Sequence, residues 1–215
     1  MRRNRPKNKN IIKNICWILD PGHGGMINNM YQTAGKRSPV WPDGSQLFEG
    51  VFNRKVVNLI AQKLQKLSYL YGILVPEEKD ISLSERVARV KNLYKSCPNS
   101  ILISVHGNAG GGTGWEVWTS PGETKSDAIA TMFYEKAKEE FPGFKMRADH
   151  SDGDPDKESR FYILTKTPCP AILTENFFMD TYEPDCKLMM SATGREKIAN
   201  MHVTAIKEIQ EAFKP

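Results

Sequence analysis

The chain reads as short, continuous apolar runs separated by longer amphipathic stretches. ICWIL (15–19), SILISVH (100–106) and AILTEN (171–176) have the length and content of buried strands, and YGILVP (71–76) joins them, closed by Pro76. WEVWTS (115–120) alternates instead, as a strand with one wet face does. Between these runs the period becomes helical. Val56, Ile60, Leu64 and Leu67 share one face, and Leu83, Val87, Val90 and Tyr94 share another behind an N-cap at Ser82 or Ser84. Residues 126–141 predict a third helix opening at Ser126–Asp127. Residues 194–213 predict a last one, with Ile198, Met201, Ala205, Ile209 and Phe213 on one stripe. Strands alternating with helices predict an α/β fold, a single domain whose mostly parallel β-sheet carries helices on both faces.

Composition changes this picture little. At 215 residues, 40% hydrophobic and 26% charged, the chain is long enough to bury one real core and is not expected to be disordered. The net charge of +5 is a local property: Arg2, Arg3, Arg5, Lys7, Lys9 and Lys13 sit in residues 1–13 with no acid, and without those six the remainder is about −1. This predicts a flexible basic tail over 1–13 ahead of a single folded unit over 14–215. The tail has no interleaved aromatics, so nucleic acid is not expected as a partner. No apolar stretch reaches the roughly 18–20 residues of a membrane span, and IIKNICWIL, broken by Lys13 and Asn14, does not read as a signal peptide. Cys16, Cys97, Cys169 and Cys186 form no CxxC pair and read as ordinary thiols.

The chemistry gathers at strand exits, where open α/β sheets hold their sites. LDPGHGG delivers His23, ISVHGNA delivers His106, and AILTEN delivers Glu175. Two histidines and a carboxylate at equivalent positions suit a catalytic zinc, which takes three protein ligands and leaves a fourth position open. Glu49 is the best candidate for a third ligand, with Asp43, Glu77 and Glu78 as alternatives. A phosphate cradle fits poorly, because Pro21 removes an N–H and neither GxxxxGK[ST] nor GxGxxG spacing occurs. No GxSxG elbow is present for a serine hydrolase. The acidic stretch RADHSDGDPDKESR (147–160) predicts a surface loop, and Lys157 stands where a calcium loop needs glycine.

Taken in order, LDPGHGG, the Glu49–Gly50 pair, LSERVARVKN, ISVHGNA and AILTENFF resemble the zinc-dependent N-acetylmuramoyl-L-alanine amidases of the Amidase_3 type, which include bacterial cell-wall hydrolases and phage endolysins. The resemblance runs from about Ile15 to the C-terminus. It implies a twisted, mostly parallel sheet, one Zn2+ held by His23, Glu49 and His106, and Glu175 as the catalytic carboxylate. The implied substrate is the amide between N-acetylmuramic acid and L-alanine in peptidoglycan. Two positions depart from the family pattern: Phe177 stands where a glycine is common, and Lys91–Asn92 where Ala–Asn is usual.

On this reading Glu175 takes the proton of a metal-activated water and passes it to the leaving amine. Asn108, Arg86 and Arg160 are candidate substrate contacts. Trp41, Trp115 and Trp118 could stack on sugars but fit packing better, while His150 reads as solvated and His202 as packed. The alternatives are another zinc peptidase or deacylase acting on wall peptides, or a non-catalytic peptidoglycan-binding module. A mere binder has no need of Glu175. The interval between His106 and Glu175 has no spare helix to plug a site, so activity is expected to be constitutive. A monomer is expected, made in the cytoplasm and acting at the wall after phage-like release or by an unrecognised export route.

Overall fold

The computed structural model describes residues 15–212. The basic tail and Phe213 lie outside the described residues. Six strands form one sheet in the order β4-β1-β5-β8-β6-β7. They are β1 (Cys16–Pro21), β4 (Tyr71–Ile73), β5 (Ser100–Asn108), β6 (Trp115–Thr119), β7 (Lys157–Glu158) and β8 (Ala171–Phe178), and a small hairpin pairs β2 (Met26–Ile27) with β3 (Met30–Tyr31). Every neighbouring pair in the large sheet is parallel except β6–β8. Only residues 109–114 link β5 to β6, too few for a crossover helix, so β6 returns antiparallel.

The sheet is buried on both sides. Trp17, Leu19, Ile101, Ile103, Val105 and Ile172 face the larger core, which α1 (Glu49–Lys66), α3 (Lys125–Glu140) and α6 (Ala192–Ala212) cover. The intervening residues Ile18, Leu102, Ala171 and Leu173 face a smaller core under α2 (Leu83–Ser96) and α4 (Tyr162–Thr165). This is the period-two alternation of a pleated strand, hidden in the sequence because both faces are apolar. The chain then makes a π-helical turn at Tyr182–Cys186 and a short α5 (Lys187–Met190) before α6.

Several boundaries differ from expectation for local reasons. Ser82, rather than Ser84, caps α2 by accepting from the Glu85 N–H at 3.3 Å. The cap of α3 is Thr124, two residues earlier than expected, with Asp127 closing a capping box. The acidic stretch 147–160 is not loop throughout, since Lys157–Glu158 extends the sheet as β7. Helix α4, four residues long, carries no period to read and stands in the interval expected to lack a further helix.

Candidate metal centre

The three inner strands β1, β5 and β8 end side by side, and the turn after β1 sets the first site residue. His23 has a left-handed backbone, φ 63°. Arg54 Nη1 donates to its carbonyl oxygen at 2.7 Å and Arg86 Nη2 at 3.0 Å. Arg86 also donates to the Pro21 and Ile81 carbonyls, at 2.8 and 2.9 Å, and pairs with Asp20, whose other oxygen accepts from Ser104 Oγ at 2.8 Å. The glycines have a steric reason. A Cβ on Gly22 would lie 2.2 Å from the His106 ring, and one on Gly50 would lie 1.8 Å from the Gly24 carbonyl oxygen.

Glu49 is the first residue of α1, where the exposed N–H groups and helix dipole favour a carboxylate. Its Oε1 lies 3.2 Å from His23 Nε2 and 3.0 Å from His106 Nδ1, and accepts from the Gly107 N–H at 3.3 Å. One turn on, Asn53 donates to the Gly22 carbonyl at 3.0 Å, tying the helix to the turn that carries His23. Burial alone would push the Glu49 carboxyl up; hydrogen bonds and positive charge from His106 and His23 outweigh it and hold the group well below the usual carboxylate range. Burial pulls His106 down, but its bond to Glu49 and the nearby carboxylates raise it overall.

His106 faces Glu175 directly across the β5–β8 ladder. Its carbonyl accepts from Asn176 Nδ2 at 3.0 Å. Beyond this pair the register shifts, so that Asn108 faces Phe178, and Phe177 takes φ 71° in the resulting bulge. Burial raises the Glu175 carboxyl to about 8, with Glu49 and Glu116 adding to the rise and His106 opposing it. Together these side chains floor a cleft of ≈ 430 Å³, whose walls include Lys36, Asn108 and an apolar side of Leu83, Phe161 and Tyr162.

His23, Glu49 and His106 each offer an atom within 4.8 Å of the others. Glu49 Oε2 and Glu175 Oε2 are buried with no hydrogen-bond partner among the described residues, a state that a bound cation and its water would relieve. Two imidazoles and one carboxylate form a donor set that zinc accepts. The alternatives for the third donor are engaged elsewhere: Asp43 binds Ser45 and Tyr182, Glu77 binds Arg89, and Glu78 binds Arg54 and the Met26 N–H.

The candidate substrate contacts separate. Asn108 lines the cleft, donating to Glu116 Oε1 at 2.8 Å. Arg86 is 3% exposed, and its donors go to Asp20 and backbone carbonyls, so its guanidinium holds the His23 turn, at the edge of a depression beside the cleft. Arg160 lines a separate depression with Ser120 and Lys166 that meets the cleft only at Tyr162. Trp115 is core, Trp41 packs on Tyr182, and Trp118 packs on Phe161 under the Lys157 ammonium. His150 is exposed and His202 fully buried. Sequence reading missed Arg54, Asn53 and Asn176, which fix ligand backbones. The only signal for the first two was polar residues on the otherwise apolar face of α1.

The Amidase_3 pattern, N-acetylmuramoyl-L-alanine amidase, matches residues 18–208. The N-acetylmuramoyl-L-alanine amidase CwlM of Bacillus licheniformis is 29% identical over 189 residues, covering 88% of this chain and 66% of the relative. The sporulation-specific N-acetylmuramoyl-L-alanine amidase of Bacillus subtilis is 24% identical over 193 residues, 89% of this chain and 66% of its own length. The chain thus spans just under two thirds of these curated relatives. The crystal structure of an N-acetylmuramoyl-L-alanine amidase from Clostridium difficile 630 superposes with a TM-score of 0.76 at 23% identity, covering 94% of this chain and 99% of that one, and shares the fold. With the family pattern spanning most of its length, the chain belongs to the Amidase_3 family of N-acetylmuramoyl-L-alanine amidases.

Proposed function

We propose that the chain hydrolyses the amide between N-acetylmuramic acid and L-alanine in peptidoglycan, with one zinc ion held by His23, Glu49 and His106 and with Glu175 as proton carrier. The observation that carries this reading is the convergence of the three donor atoms beside a buried carboxylate whose Oε2 lacks a partner. Zinc, when bound, supplies Lewis acidity that polarises the scissile carbonyl and acidifies water at neutral pH.

The chain's own residues do the rest. Arg54, Arg86, Asn53 and Asn176 fix the backbones that present the ligands, so little reorganisation is needed at the moment of reaction. Glu175, near the end of β8 with its buried Oε2 unpartnered among the described residues, is placed to carry a proton. It takes the proton of the attacking water and returns it to the amine nitrogen as the C–N bond breaks. Leu83, Phe161 and Tyr162 give one side of the cleft an apolar wall.

Mass spectrometry of muropeptides after digestion tests the reading. An amidase frees L-alanine amino termini and leaves muramic acid intact, and a zinc chelator should abolish both products. Cleavage at a different bond would point to a wall-peptide peptidase or deacylase. Binding to sacculi with no cleavage would leave only a binding module.

A further inference from the structure

Two depressions meet at the metal centre, and different groups line them. A second depression of ≈ 400 Å³, lined by Asp20, Asp80, Ser82, Arg86 and Ser104, shares His23, Leu83, His106 and Ile163 with the main cleft. The two depressions therefore adjoin at the two histidines, with Glu175 and Lys36 lining one of them only. An amidase must seat both halves of the bond it breaks. The group that protonates the departing nitrogen has to lie within hydrogen-bond reach of it. The leaving peptide therefore occupies the Glu175 end, and the muramoyl half the Asp80–Ser82 end.

Cations near the two depressions are mostly committed to carboxylates. Arg86 pairs with Asp20, Arg54 with Glu78, and Arg147 and Lys157 with Glu116. Lys36 is different: it is exposed, it lines the Glu175 end, and its ammonium has no carboxylate partner among the described residues.

We propose that Lys36 is the specificity residue of the leaving-peptide end, binding a free carboxylate of the stem peptide next to the L-alanine. The assignment rests on the amidase reading above and adds the direction in which substrate lies and the group that is recognised. A charge-assisted contact of this kind is worth on the order of tenfold in recognition.

The test uses two synthetic muramoyl tripeptides that differ only in whether the carboxyl of the second residue is free or amidated. The zinc-loaded wild-type protein should prefer the free carboxylate about tenfold in kcat/KM. Lys36→Met should bring that ratio close to one, with the loss appearing in KM for the free-carboxylate substrate, and Lys36→Arg should restore part of the preference. A general effect on Glu175 or on folding would lower both substrates together and leave the ratio intact. A wild type without preference, or a Lys36→Met variant that keeps it, overturns the assignment while leaving the amidase reading standing. If the wild type cleaves neither tripeptide and no sacculus, the amidase reading itself fails and takes the assignment with it.

Discussion

Arg54 and Arg86 donate to one and the same oxygen, the carbonyl of His23, from two different helices. Two cations on one carbonyl are tolerable because Asp20 neutralises the second from beneath. Arg86→Met would leave the Asp20 carboxylate, 1% exposed, with Ser104 as its remaining side-chain partner. Removing one member of a buried pair costs about 3–5 kcal/mol. The double variant Asp20→Asn/Arg86→Met removes the stranded charge and should recover part of that loss in urea denaturation. Equal destabilisation of single and double variants would show that the pair's charge is not what matters.

Glu175→Gln should keep its zinc, because Glu175 is not among the three converging donors. It should lose roughly 10²–10⁴-fold in activity, the range of general acid–base help. His23→Ala should instead lower zinc content, measured by elemental analysis after dialysis. Adding zinc should raise the Tm of the wild type and not that of His23→Ala, since a ligand at about 100 times its Kd adds about 2.7 kcal/mol of stability. Near-normal turnover by Glu175→Gln would remove it from the proton-carrying role.

Phe177 gives a reversed expectation for glycine and alanine. The residue is fully buried against Phe141 and Phe144, at ring distances of 5.0 and 4.8 Å, on a left-handed backbone of φ 71°. Truncating the ring costs about 3–5 kcal/mol in either variant. Alanine keeps the backbone strain and glycine relieves it, so Phe177→Gly should be more stable than Phe177→Ala by about 1 kcal/mol. An order reversed in chemical denaturation would contradict the strain.

His202 makes stability depend on pH. Fully buried, its imidazole is pulled down to about 4, while its Nε2 meets Thr174 Oγ1 at 3.1 Å and its Nδ1 meets the Ile198 carbonyl at 2.8 Å. The unfolded chain binds this proton near 6.5 and the folded one only near 4, so protons favour unfolding in between. The stabilisation is complete above pH 6.5 and lost as pH falls towards 4, on the order of 3 kcal/mol in all. His202→Gln should flatten that part of the unfolding free energy between pH 7 and 4. A slope unchanged in the variant would assign the acid sensitivity to other groups.

How much of this was legible in sequence follows from what each signal encodes. Strand exits carrying His23, His106 and Glu175 could be read because glycines and apolar runs bracket them. Glu49 could be singled out but not seated: α1 begins at that residue, while its apolar period becomes visible only from Val56, because Asn53 and Arg54 are polar and buried. The antiparallel β6–β8 pair was invisible, since alternation encodes which face is wet and not which way a strand runs. Whether Arg86 meets a substrate or makes a structural ion pair could not be read, because its partner, Asp20, lies 66 residues away in sequence.

The placement of the site on β1, β5 and β8 has a kinetic consequence. These strands are the sheet's interior, flanked by β4 on one side and by β6 and β7 on the other. Amide exchange in such strands requires near-global opening, whereas short edge strands fray on their own. The amides of residues 16–20, 101–105 and 171–174 should be the last to exchange deuterium, well after those of Lys157 and Glu158 in β7. Heat should therefore extinguish catalysis and structure in a single step, with no folded but inactive stage between them.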